Sequence, residues 1–379
     1  MTMHLANRYQ QIADPTVMKL LELSNRPGII SFAGGTPAPE TFPTKLLDEA
    51  ARSPLPLQYS SAQGIASLRE VLSDKFSHEW GRVVSPEHIL ITTGSQQALD
   101  LVGRTYLDNG DTVLCEDPTY FVALYAFSAY DPVYQIVDWR KPRSLKGAKL
   151  AYLVPTFGNP TGRTLTSIER QVVGELVSGG ETILMEDDPY SQLYFGRKPP
   201  LPIAATHPHN VIYITTLSKI VGPALRMGVV IAEPEIISAL TRVKSGMDLC
   251  TSALTQTLTE RTITDPRFSS HLETIRKYYG RKARAMFGAL KKYMPSGVVW
   301  VRPQGGMFVW VTLPSSVDSN QLYTKAIDAG IAFVPGYIFR PGRKRSSSLR
   351  LSFAMASVEE IDRGIKILAK LVREEVANI

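Results

Sequence analysis

The chain has 379 residues, 44% hydrophobic and 20% charged, which fits a folded globular protein too long for one simple core. No run approaches the roughly 20 apolar residues of a membrane span, and Met1–Asp14 holds no apolar signal-peptide core, so the cytoplasm is the expected compartment. The net charge of +7 does not single out nucleic acid: its densest cluster, Arg343-Lys344-Arg345, lies beside Gly342 and a serine run without interleaved aromatics, as a mobile surface loop would.

In chain order, short β-branched runs alternate with longer helical patterns. Strands are expected over His88–Thr92, Thr112–Cys115, Leu150–Val154, Thr182–Met185, Val211–Thr215 and Val229–Ala232. A helix over Ser95–Leu107 follows the first run. Another begins after Thr166, where Thr166 and Glu169 have capping-box spacing ahead of Val172, Val173 and Leu176. Apolar strands separated by helices imply a parallel sheet covered on both faces. Cys115 falls inside such a run and reads as a buried strand residue. With Cys250 as the only other cysteine, neither a disulfide framework nor a zinc site is expected. Further on, Val298–Val301 and Met307–Val311 flank a Gly305-Gly306 turn, and Leu349–Phe353 is another strand. Ser357 and Glu360 cap a terminal helix with Val358, Ile361, Ile365 and Leu368 on one face. The expected fold is α/β: a large domain with a mostly parallel, helix-covered sheet, plus a smaller α+β domain. Residues 1–45 would form an N-terminal segment joining the small domain, 46–275 the large domain, and 276–379 the small domain.

Ligands of open parallel sheets bind beyond the carboxyl ends of the strands, so the residues following each run matter most. They are Thr93-Gly94-Ser95-Gln96, Gly158-Asn159-Pro160-Thr161-Gly162, Glu186-Asp187-Asp188-Pro189-Tyr190 and Thr216-Leu217-Ser218-Lys219. Gly94-Ser95-Gln96 at a helix start offers free N–H groups to a phosphate. Lys219, flanked by Leu217, Ile220 and Val221, sits where partial burial would help it lose its proton. Arg226, after Gly222 and Pro223, can neutralise a phosphate. Singly, each group has an ordinary structural explanation. Together, an amine beside phosphate-binding groups suits the aldehyde and phosphate of pyridoxal phosphate. No Gly-x-Gly-x-x-Gly turn supports a nicotinamide site.

At these residues the sequence resembles the fold-type I, class I pyridoxal-phosphate aminotransferases, and within them the kynurenine/2-aminoadipate group. Further blocks carry the resemblance: Ser31–Pro37 with Pro39-Glu40 and Phe42-Pro43, Gln58-Tyr59-Ser60, Asp117-Pro118-Thr119-Tyr120 and Arg350–Ala354. The resemblance implies that Lys219 holds the cofactor as a Schiff base and later moves the substrate α-proton. It implies that Asp187 pairs with the pyridine nitrogen, that Asn159 and Tyr190 bond the ring hydroxyl, and that Tyr120 stacks on the ring. Ser95, Gln96, Thr216, Ser218 and Arg226 would hold the phosphate, with Thr216 standing where serine is usual. Tyr59 would reach a neighbouring subunit's phosphate, which implies a homodimer. Arg350 would clamp the substrate carboxylate, and Gly34 or Gly35 would admit the substrate close to the backbone.

The substrates implied are an L-amino acid, apolar or aromatic or 2-aminoadipate-like, and a 2-oxo acid, expected to be 2-oxoglutarate, with no nucleic acid, membrane or metal. Met18 takes the place of an arginine found in members that accept acidic side chains. That exchange leans toward apolar or aromatic donors, although helical apolar residues there could equally pack on the core. A β-lyase or decarboxylase of the same fold would share the cofactor residues. A catalytically silent effector-binding protein would carry a helix-turn-helix domain ahead of residue 1, and the chain starts directly at the aminotransferase-like segment.

Overall fold

The computed structural model describes Glu22, residues 26–342 and residues 344–377. Thirteen strands are formed among them. They are β1 (Ile30–Ser31), β2 (Ile89–Thr93), β3 (Thr112–Cys115), β4 (Val133–Ile136), β5 (Leu150–Leu153), β6 (Ile183–Asp187), β7 (Val211–Thr216), β8 (Met227–Ile231), β9 (Val299–Trp300), β10 (Phe308–Thr312), β11 (Ile331–Ala332), β12 (Val334–Pro335) and β13 (Ser348–Ser352).

Seven strands form the large sheet in the order β2-β8-β7-β6-β5-β3-β4. Its residues alternate between two apolar clusters. Leu90, Ile212, Ile214, Val230 and Tyr152 pack on one side with Ala98, Leu101 and Leu240 of the covering helices. Ile89, Ile91, Tyr213, Val229 and Leu184 pack on the other. Both faces are dry, which is why these strands read as continuous apolar runs.

The sheet is mostly parallel, as expected, and two of its details were not read from the sequence. β8 runs antiparallel to both β2 and β7, while the remaining pairs are parallel. The reason is the connection: residues 217–226 hold only two short 3-10 turns, too little for the helical crossover that a parallel return needs. β4 was not expected. It is an edge strand, with Val133 and Ile136 more than half exposed, and so lacks the apolar signature of its neighbours.

The second sheet, β12-β13-β10-β9, is antiparallel. Its register sets Arg350 opposite Trp310 and Ser352 opposite Phe308, so these four side chains share one face. The N-terminal segment joins this part: β1 pairs with β11, Phe32 donates its N–H to Ala332, and Ser352 donates to the Phe32 carbonyl. Ahead of the basic cluster, a 3-10 turn over Gly336–Phe339 buries Gly336, Ile338 and Phe339. Of the basic cluster, Arg343 lies outside the described residues, and Arg345 is tied to Asp318 at 3.2 Å. Both capping boxes form, at Thr166/Glu169 and at Ser357/Glu360.

Candidate active site

Six of the seven large-sheet strands end at one rim, and β8 begins there. Gly94 turns the chain from β2 into the helix Ser95–Tyr106. Its φ is 78° and no side chain caps the helix, so the first N–H groups remain available to an anion with the helix dipole behind them. A Cβ on Gly94 would stand 2.4 Å from the Arg226 guanidinium. A side chain there would therefore expel the arginine. Arg226 itself adopts left-handed backbone, φ 53°, at the entry to β8. Across from it the Thr216 and Ser218 hydroxyls lie 2.9 Å apart.

Lys219 closes the 3-10 turn after β7. Its Nζ donates to the Gly35 carbonyl at 3.1 Å. Burial, with Arg226 and Arg350 nearby, depresses the amine to about 8 against the weaker pull of Asp187. Asp187 ends β6. Its Oδ2 accepts from the Tyr152 hydroxyl at 2.7 Å, whereas its Oδ1 is buried with no partner among the described residues. Burial and the adjacent Asp188 push this carboxyl up to about 7, while Tyr152 and Lys219 oppose them. A buried carboxylate oxygen left unsatisfied costs roughly 1–3 kcal/mol or more. A cationic N–H donor is what would relieve it.

Asn159 joins the two halves of the site. Its Oδ1 accepts from Arg350 Nη1 at 2.7 Å, and its side chain lies near enough to the Tyr190 hydroxyl to oppose the rise that burial gives that phenol. Arg350 donates from Nη2 to the Ala33 carbonyl. Its guanidinium lies between the rings of Phe308 and Phe339, 4.2 and 5.0 Å from their centroids. Burial lowers it to about 10, so it stays cationic at neutral pH. Its Nε has no partner among the described residues. This is a planar cation fixed by stacking, suited to a carboxylate.

Ser95, Gln96, Tyr120, Asn159, Asp187, Tyr190, Thr216, Ser218, Lys219 and Arg226 line a single cavity of about 160 Å³, enough for a substituted aromatic ring. Gly35 and Arg350 adjoin it through the bonds above. Tyr59 is not in it: the side chain is 76% exposed. Met18 lies outside the described residues. Tyr152, Phe308, Phe339 and the Ala33 carbonyl were not anticipated. Tyr152 reads as a core residue of a buried strand, and only the adjacency of β5 and β6 brings its hydroxyl to Asp187.

The family model for aminotransferase class I and II matches residues 28–368. The chain belongs to this family. It is an aminotransferase, and the family's cofactor is pyridoxal phosphate. The aromatic-amino-acid aminotransferase 1 of Thermococcus litoralis is 38% identical over 95% of this chain and 92% of its own. Among solved structures, a kynurenine aminotransferase of Pyrococcus horikoshii with pyridoxamine phosphate (PMP), kynurenine and its product superposes with a TM-score of 0.93. It is 37% identical and covers 98% of this chain and 97% of its own. An α-aminoadipate aminotransferase of Thermus thermophilus, complexed with N-(5'-phosphopyridoxyl)-L-leucine, gives 0.89 at 36% identity, covering 99% and 98%. The aminotransferase site fits such a cofactor on its own observations: an orphaned acid for a ring nitrogen, an uncapped helix start with Arg226 for a phosphate, and a depressed amine.

Proposed function

We propose that the enzyme carries pyridoxal phosphate on Lys219 and moves the α-amino group of an L-amino acid with an apolar or aromatic side chain to 2-oxoglutarate. The observation that carries the cofactor assignment is Asp187 Oδ1, a buried carboxylate oxygen unpaired among the described residues, in the same cavity as the Lys219 amine and the Ser95/Arg226 anion cradle.

When bound, the cofactor supplies an electron sink for the pair left as the substrate α-proton departs. The chain's residues do the rest. Asp187 Oδ1 would accept from a protonated ring nitrogen and keep it protonated. The Ser95 and Gln96 N–H groups, the Thr216 and Ser218 hydroxyls and Arg226 would hold the phosphate. Tyr120 would cover one ring face, and Asn159 and Tyr190 would bond the ring hydroxyl. Arg350 grips the substrate carboxylate in fork geometry, with Asn159 steadying its outer nitrogen. The Lys219 amine, lowered to about 8 by burial and its cationic neighbours, would serve as the base that takes up the substrate α-proton.

The substrate reading draws support from the Thermus relative, whose bound adduct carries a leucine side chain, and from Met18 in the sequence. The same reading makes the enzyme a homodimer. Leu57 and Tyr59 are 93% and 76% exposed, large apolar groups that a second subunit would cover, and Tyr59 would then reach the partner's phosphate. Two free cysteines, Cys115 and Cys250, suit a reducing cytoplasm. The division into 1–45 with 276–379 against 46–275 is supported by the pairing of β1 with β11.

Borohydride should fix the cofactor irreversibly to the peptide containing Lys219, and Lys219→Ala should remove that label. Leucine, phenylalanine or kynurenine should each bleach the cofactor's absorption, and a 2-oxo acid should restore it. Label on another peptide would overturn the cofactor assignment. Ammonia or CO₂ as product would indicate a lyase or decarboxylase. Faster turnover of 2-aminoadipate than of the three apolar donors would overturn the substrate class.

A further inference from the structure

A second, larger cleft of about 760 Å³ opens at the same sheet rim, within the roughly 300–1,000 Å³ typical of small-molecule sites. It lies beside β4, at the opposite edge of the sheet from β2. Residues from both loops that bear ring-contacting groups, Asp117–Tyr120 and Asn159–Arg163, line it. The opposite wall comes from residues 301–304 and Trp310 of the small sheet.

Its composition is two-sided. Val137, Phe157, Pro303 and Trp310 make an apolar wall, while Arg163, Arg197, Lys198 and Arg302 stand at the rim. The acids that line the cleft are engaged away from these four cations. Asp117 is held by Arg340, Asp138 by Arg140, and Glu169 serves its helix cap. Glu116 remains, and burial of its carboxyl pushes it up to about 8, so near neutrality it is mostly uncharged. None of the four cations is in an ion pair with a carboxylate among the described residues. Trp139 also lines the cleft. It is 1% exposed, and its indole N–H is buried without an acceptor among the described residues.

We propose that this cleft is a second ligand site, for a small organic carboxylate with a flat apolar body, and that its occupancy acts on the Arg350 clamp. Free phosphate would leave the apolar wall unused, and a neutral aromatic would leave the four cations unanswered. Two routes lead from the cleft to the clamp. Arg163 closes the loop that bears Asn159, through Gly158 N–H to its carbonyl at 2.8 Å, and Asn159 holds Arg350 Nη1. Trp310 meets Phe339 edge-on at 5.7 Å, and Phe339 supports the guanidinium.

The test uses 2-naphthoate, which has the body and the charge but no amino or oxo group to transfer. Calorimetry on the holoenzyme should show binding that weakens at least tenfold in Arg163→Gln/Arg302→Gln and persists in Arg350→Ala. In steady-state assays naphthoate should shift the KM of the amino donor in the wild type, and the shift should vanish in the double variant, whose own kcat stays normal. Equal binding in the double variant would overturn the site. Loss of binding in Arg350→Ala would place naphthoate in the active site and overturn it too. Inorganic phosphate displacing naphthoate at equal concentration would overturn the ligand class. Binding without any KM shift would overturn the coupling.

Discussion

At the scale of single residues, two groups set the chemistry through their surroundings. Arg350 is fixed by two rings and two acceptors, so its fork is ready before a carboxylate arrives. Lysine keeps the charge but loses the planar, bidentate geometry. Arg350→Lys should lower kcat/KM for the amino donor by about 10²-fold, roughly 2.7 kcal/mol, mainly through KM, and initial-rate kinetics will check it. Lys219 is the second case. Burial and its cationic neighbours favour the neutral amine, so its value falls from 10.5 to about 8. The apoprotein's rate of cofactor capture should therefore climb about tenfold per pH unit below that value and level off above it, as stopped-flow absorbance would show. A rate still climbing toward pH 10 would mean the amine is not depressed. These environments were only half legible. The residue types Lys219, Asp187 and Arg350 stand out in the chain, but the partners that tune them, Tyr152, Ala33 and Phe339, come from elements distant in sequence and carry no local signal.

At the scale of elements, the ion pair between Arg340 and Asp117, 2.7 Å at its shorter contact, ties the turn after β12 to the loop that presents Tyr120. The Thr119 N–H donates to the Phe339 carbonyl alongside it at 2.8 Å. The pair is partly exposed, so by itself it is worth about 0.2–1 kcal/mol. Arg340→Ala should lower the melting temperature only slightly, yet speed cofactor loss several-fold on dialysis because Tyr120 loses its backing. Unchanged cofactor retention would limit the pair to a surface role. Elements were the most readable level of the chain. The apolar runs of β2, β3, β5, β6, β7 and β8 and the spacing of both capping boxes mark them within a residue or two, since burial on two faces and N-cap chemistry leave direct traces in composition. β4 left no such trace, because an exposed edge strand needs no apolar run. The direction of β8 was written not in the strand but in the brevity of what precedes it.

At the scale of the whole molecule, the site is assembled from both sheets and the N-terminal segment. The large sheet supplies Asp187, Lys219 and Arg226, the small one supplies Arg350, and residues 33–35 supply the carbonyls between them. The order of the polar blocks was visible in the sequence. Their convergence required the topology. The reversed strand has one more effect. Because β7 and β8 are joined by so short a link, Lys219 and Arg226, the proposed anchor and phosphate ligand, lie within a single hairpin connection. Supersecondary units of this size commonly open as one local segment. A cofactor bound at both points staples that hairpin shut. Its retention is then governed by the opening rate of one local segment rather than by the sum of two independent contacts.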